Sequence, residues 1–504
     1  MMKLKSIFIF LIIVHCTLGI VNGSNAQGKY DNNWVTGAYH FTHLVNFDST
    51  NPKTIYYDST HSMNFTGAHS CISDSSGNIL LMCTGAKVFN KYKIVIENGD
   101  TLIDENYYKY YNGIGDIYVA QGSVLILPYD SEIYRIIINS ATNENFSSTY
   151  AVPNIVYSNK VNMHVKGDSG MIVEKKKIIL DSVLLGWTGM TACRHANGKD
   201  WWIAKQGADT NIIYTIFLGK DSVSKRIVNS FPLPNYTFYD RSGQMQFNQQ
   251  GTQIANVQEE PNQVFVANFD RCLGVITNPK VYNIPALPIN NQTTVLETLP
   301  RGLCFSPNGQ FLYVVLRSKV FQLDLMEPDS ALAWYLVSDI DTIWAQFNQY
   351  NTAQLAPNNK IYIGRWGGLD QTWNVIDNPN VKGAGCNWCN RCLRFTTFGA
   401  SATPNTINYN LGASPTLCHP LDTGNIKIDS MQLYASYQNL SNQLTISIAK
   451  NTEKKLDVFS AQGALVYSHT INVGVVKVNV DASSWAKGVY VVRVGGQSRK
   501  VIIN

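Results

Sequence analysis

The stretch LCFSPNGQFLYVV, residues 303–315, carries the pattern on which the fold turns. An apolar lead-in enters a polar turn at Pro307, Asn308 and Gly309, and an alternating aromatic and β-branched run leaves it. This is a hairpin, because Gly and Asn accept the positive φ that a tight turn between antiparallel strands requires. The arrangement returns in CISDSSGNILLM (71–82), ACRHANGKDWWIA (192–204), MQFNQQGTQIANV (245–257) and AQLAPNNKIYIGR (353–365). The turn markers Gly77, Gly198, Gly251, Gly309 and Asn359 stand 121, 53, 58 and 50 residues apart. One period is about fifty residues, and the first gap holds two of them.

Between the markers lie further strand-like runs, among them EIYRIIIN (132–139), NIIYTIFL (211–218) and NQVFVANF (262–269). Several short strands per period, without helical periodicity, read as the blades of a propeller rather than a helical solenoid. The expected fold is all-β: a β-propeller of about seven blades over 27–420, a linker at 421–435, and a small C-terminal β-sandwich over 436–504. In that last region LTISIAK (444–450), KLDVFSAQGALVYS (455–468), GVYVVRV (488–494) and KVIIN (500–504) alternate and are joined by short turns.

Composition agrees. Of 504 residues, 45% are hydrophobic and only 15% charged, with 27 Tyr, 20 Phe and 10 Trp, which excludes a disordered chain and favours aromatic-rich strands. The net charge of +5 is small, and no basic run with interleaved aromatics tracks a phosphate backbone, so nucleic acid is not an expected partner. Lys3 and Lys5 precede the apolar run Ile7 to Val14, and the small residues Ser24 and Ala26 follow, which is the layout of a secretory signal peptide over 1–26. No later segment is apolar enough to span a bilayer. Beyond the leader stand nine cysteines: Cys71, Cys83, Cys193, Cys272, Cys304, Cys386, Cys389, Cys392 and Cys418. In an oxidising compartment these are expected in disulfides, with at least one thiol left over.

The C-terminal segment resembles the type A sorting domain of type IX secretion cargo. The resemblance rests on LDVFSAQGALVYS with Gly463 in its hairpin, on WAKGVYVVRV with Gly488 and Tyr490, and on the final basic strand RKVIIN with Lys500. The Asn-Pro that often opens such domains is missing. The region before it resembles secreted propeller-like proteins of Bacteroidetes, through SDSSGNILLMCTG, CRHANGKDWWIAKQG, FDRCLG, LCFSPNGQFLYVV and QLAPNNKIYIG. The resemblance implies the type IX secretion machinery as partner. It also implies a place outside the cell or on its outer surface, after passage through the periplasm. It brings no established reaction.

The candidate ligand site is Arg194, His195, Asp200, Trp201 and Trp202, with Asp270 and Arg271. Two indoles offer a stacking surface for a sugar and the polar groups reach its hydroxyls; the same residues serve equally as a hairpin turn and wedges between blades. The spacing of CNWCNRC (386–392) is compatible with disulfides or with a metal site of Cys386, Cys389, Cys392 and Cys418. No cofactor motif, nucleophile elbow, HExxH or P-loop occurs. The expected protein is thus a binding or scaffold module for a glycan or protein. The alternatives are a carbohydrate-active propeller enzyme acting through Asp270, Asp200 or His195, and a structural component of a surface or adhesion layer.

Overall fold

The computed structural model describes residues 28–414 and 433–503, apart from 39–40, 58–62, 66, 68, 113–122, 143–151, 209–210, 232–241, 260, 286–298, 340–348, 367–369, 400, 439–442, 449–453, 472–476 and 496. The expected leader and most of the expected linker fall outside the described residues. The chain divides into two compact units, Met1–Leu417 and Cys418–Asn504.

Among the described residues, seven antiparallel sheets follow one another along the first unit. The first holds β1 (Asn33–Ala38), β2 (Phe41–Asn46) and β3 (Lys53–Tyr56), and the second β4 (Ser70–Ser73), β5 (Ile79–Cys83) and β6 (Val88–Asn90). The other five have four strands each: β7 (Val124–Pro128) to β10 (Met171–Leu180), β11 (Leu185–Arg194) to β14 (Val223–Ser230), β15 (Ser242–Phe247) to β18 (Ile276–Asn283), β19 (Pro300–Phe305) to β22 (Trp334–Asp339), and β23 (Tyr350–Leu355) to β26 (Trp388–Arg394). Within every sheet the strands lie in chain order, the mark of a meander in which each strand pairs with the one just made. The described α-helix is a single short one, Glu105–Asn112.

The repeating turn closes the first hairpin of five sheets by the same bonds. Gly77, Gly198, Gly251, Gly309 and Asn359 all have positive φ, between 60° and 95°. Each donates its N–H to the carbonyl three residues back, at 2.9–3.0 Å. An Asp or Asn side chain at the head of the turn accepts backbone N–H groups from its far side: Asp74 from Ser76 and Asn78, Asn197 from Lys199 and Asp200, Asn248 from Thr252 and Gln253. The 121-residue gap is filled by the third sheet, whose turn is capped by Asp130 instead.

The apolar core sits between sheets and runs in a circle. Val35, Met63 and Phe65 meet Cys71 and Met82 between the first and second sheets. One large cluster joins the second, third and fourth through Leu81, Ile126, Ile137 and Trp201. Trp202 and Phe265 join the fourth to the fifth, Val264 and Leu303 the fifth to the sixth, and Tyr313 and Ile363 the sixth to the seventh. The circle closes where Trp34 packs against Tyr362 and Trp373, tying the first sheet to the seventh. Seven radial sheets packed face to face in a closed ring are a β-propeller, so the expected fold class stands.

The second unit is a two-layer arrangement. β27 (Leu433–Gln438), β28 (Gln443–Ile448) and β31 (Lys477–Asp481) form one sheet. β29 (Lys454–Ser460), β30 (Leu465–Ile471), β32 (Gly488–Val494) and β33 (Gln497–Ile503) form the other. Leu444, Ile446, Leu456, Val458, Val492 and Val501 fill the space between them. Gly463, at φ 82°, makes the β29–β30 turn, and Tyr490 donates its hydroxyl to the Ala486 carbonyl at 2.7 Å. Lys500 pairs with Val491 in the last ladder.

Candidate functional site

In an open propeller the inner strands line a channel where a ligand can sit. Here the protein's own chain occupies it. SATPNTINYNLGAS, residues 401–414, has no charged side chain, and its proline lacks an N–H, so it is poorly suited to a sheet ladder. It is well suited to hydrogen-bond many strands one at a time. Residues 401–407 are all buried.

The segment enters beside β1, which runs opposite to β4, the inner strand of the second sheet. Asn33, at the start of β1, donates to Gly77 O (2.6 Å) and Ser73 Oγ (3.0 Å) at the far end of β4. The first sheet therefore lacks the inward strand that begins the others, and Ser401 and Ala402 fill that place. Thr36 Oγ1 lies 2.9 Å from Ser401 Oγ and donates to Ala402 O at 3.2 Å. Arg365 N and Trp373 Nε1 both donate to Ser401 O, at 2.9 and 2.7 Å.

Further in, Thr403 bonds Thr352 of the seventh sheet at 2.9 Å. Asn405 is the hub. Its N–H donates to His69 O (3.0 Å), its carbonyl accepts from Ser70 Oγ (2.8 Å), and its Nδ2 donates to Val124 O (3.0 Å) and Met190 O (3.2 Å). Second, third and fourth sheets are thus joined by one residue. Gln354 donates to Thr406 O and Asn408 to Gln249 O. A cavity of about 30 Å³ remains beside Thr406, Ile407 and Asn408, lined also by Cys193, Gln246 and Cys304. That is room for one or two waters.

The chain leaves the channel against the turns that carry the residues singled out from the sequence. Arg271 donates Nε to Arg194 O (2.9 Å) and Nη2 to Gly412 O (2.5 Å), and Ser414 N donates to Ala196 O (2.8 Å). A Cβ on Gly198 would stand 2.7 Å from Ala413 N, and one on Gly251 2.7 Å from Leu411 Cδ2, so both glycines admit the passing chain.

All seven expected residues are engaged within the propeller, and Arg271 among them bonds the exiting chain. Trp201 and Trp202 are fully buried; their indole N–H groups donate to Pro128 O (3.1 Å) and Arg271 O (2.8 Å). The Arg194 guanidinium stacks 4.1 Å over the Trp201 ring and donates to Lys199 O. Burial lowers the pKa values of both Arg194 and Arg271. His195 Nδ1 accepts from Asn197 N (3.0 Å), and Nε2 lies 3.2 Å from Cys272 O. Asp200 accepts from Asn197 Nδ2 (2.7 Å). Asp270 caps the neighbouring turn, accepting from Cys272 N and Leu273 N. Sequence reasoning found these residues but not what lies across them, residues 401–414, whose only signal is a run of uncharged Ser, Thr and Asn.

The cysteines differ from the expectation of general pairing. Cys71, Cys83, Cys193, Cys304 and Cys386 are buried thiols spread over four inter-sheet clusters. Burial pushes the first three up to about 12. Cys389 and Cys392 are joined to each other, so neither offers a thiolate to a metal, and Cys418 lies outside the described residues. Cys272 is also disulfide-bonded. Among the described residues no three His, Cys, Asp or Glu side chains converge as metal ligands.

Residues 440–504 match the secretion system C-terminal sorting domain, so the second unit is a sorting domain of type IX secretion. A comparison with curated proteins finds no match. Similar solved structures include the Dos1 propeller, at 11% identity over 82% of this chain and 86% of that one, with a TM-score of 0.42. A putative 6-phosphogluconolactonase from Bacteroides fragilis shows 10% identity over 73% and 97%, at 0.38. The periplasmic gluconolactonase of Pseudomonas aeruginosa shows 12% over 89% and 99%, at 0.34. Among the described residues no helix is long and apolar enough to cross a membrane.

Proposed function

We propose that this chain, a propeller followed by a type IX sorting domain, is exported cargo that works outside the cell as a rigid binding scaffold, recognising glycan or protein through its outward loops. The signal peptide at 1–26 takes it to the periplasm, and the sorting domain takes it across the outer membrane to the surface or the medium. The observation that carries this reading is the threaded segment. With 401–410 filling the channel, recognition falls to loops and outer strands, and the cluster at 194–202 and 270–271 serves to hold the chain's own exit.

The alternative of a carbohydrate-active enzyme needs two carboxylates about 5–10 Å apart across a pocket. Asp200 and Asp270 are instead each occupied within a turn, which favours the scaffold. Deleting residues 436–504 and fractionating the cells tests the export half: the shortened protein should remain in the periplasm, and its unchanged appearance outside would refute the sorting role. A glycan array probed with the secreted protein tests the other half, with hydrolysis of any bound glycan as the result that would favour the enzyme.

A further inference from the structure

We propose that the Cys389–Cys392 disulfide is a site of thiol–disulfide exchange with thiols outside the protein, not a structural staple. Both residues lie on β26, the outermost strand of the seventh sheet. Cys389 pairs with Val375 and Leu393 with Trp373 on β25 (Thr372–Ile376), so Asn390, Arg391 and Cys392 stand opposite the single residue Asn374. The bond therefore spans a bulge on the outermost strand, with Arg391 in the left-handed region at φ 57°. Cys392 is exposed and Cys389 half-buried, which makes the Cys392 sulfur the one an incoming thiolate reaches.

Two further observations separate this bond from a staple. It closes a loop of sequence separation 3, and the gain from a cross-link shrinks with the loop it closes. Five buried cysteines stay as thiols, and the disulfide-bonded ones, Cys272, Cys389 and Cys392, are those that reach the surface in part or whole.

The step balances with an external thiol as reductant. Its thiolate attacks Cys392 Sγ, the protein S–S bond breaks, and Cys389 leaves as a thiolate that takes a proton from water. A second thiolate attacks the external sulfur of the mixed disulfide, releasing an oxidised thiol pair and leaving Cys389 and Cys392 reduced. Two electrons pass from two thiols to one disulfide.

The test uses the folded full chain in graded mixtures of reduced and oxidised glutathione, followed by alkylation and peptide mapping. The peptide holding 389 and 392 should become alkylated at both cysteines while near-UV circular dichroism is unchanged and Cys71, Cys83, Cys193, Cys304 and Cys386 stay unlabelled. In Cys389→Ser, oxidised glutathione should add to Cys392 several-fold faster than it adds to Cys389 in Cys392→Ser. Resistance of the disulfide until denaturant is present would overturn the proposal. So would a double variant, Cys389→Ser with Cys392→Ser, whose thermal midpoint falls as far as that of a core truncation.

Discussion

Thr36 Oγ1 lies 2.9 Å from Ser401 Oγ, a buried hydrogen bond between residues 365 positions apart. It marks the place where the ring is finished. β1 is laid down first, yet its inward neighbour is the stretch that follows the seventh sheet. Closure by a late segment joins the first and seventh sheets through non-local contacts, including Trp34 against Trp373.

Asn405→Ala removes the amide that bridges Val124 O and Met190 O and leaves both carbonyls buried without that donor. A loss of about 2–3 kcal/mol is expected, read as a lower urea midpoint with an unchanged slope.

Trp202→Ala empties a fully buried site between the fourth and fifth sheets and should cost about 3–5 kcal/mol. Gly274→Ala probes the same contact from the other side. Its Cβ would stand 2.5 Å from the Trp202 ring, at a backbone φ of +71°. A cost of roughly 1–3 kcal/mol is expected. Thermal unfolding of both variants checks this, and a ligand-binding loss without a stability loss would restore Trp202 as a binding surface.

Acid should weaken the ring where it closes. Burial lowers the pKa values of His43 and His69 to about 4, and His69 O receives Asn405 N. Between about 6.5 and 4 the unfolded chain takes up protons that the folded rings refuse, so stability falls as pH drops through that window. Asp31, raised to about 6 by burial, binds its proton in the folded state and opposes this with one group against two. The net expectation is a lower thermal midpoint at pH 5 than at pH 7. His69→Gln should flatten the slope, its share being on the order of 3 kcal/mol.

Burial of Lys205 acts at the other end of the scale. Its ammonium is fully enclosed, donates to the carbonyls of Gly186 and Thr188, and has its pKa lowered to about 7. Above pH 7 the unfolded chain keeps a proton that the folded state has released, so stability rises with pH toward the ordinary lysine range. Lys205→Met should remove that rise, as scans between pH 7 and 10 would record.

The propeller was legible because one turn recurs: Gly77, Gly198, Gly251, Gly309 and Asn359 do the same local job, and a local job leaves a local pattern. The sorting domain was legible for a similar reason, in Gly463, Tyr490 and the alternating strands around them. Residues 401–414 left no such trace. Thr403, Asn405 and Asn408 are fixed by bonds to strands 50 to 340 positions away, and their order along the chain reflects the channel wall rather than any period. For the same reason the exit cluster was readable as residues but not as a site: Arg271 looks like a ligand-binding arginine until Gly412 is seen across it.

Two truncations test the closure directly, one ending at Ser414 and one at Phe398, compared with the full chain by urea unfolding. The longer should unfold in one cooperative transition near the midpoint of the full-length propeller, and the shorter should lose that transition or shift it to markedly lower urea. Equal midpoints for the two would contradict a ring completed by its own threaded chain.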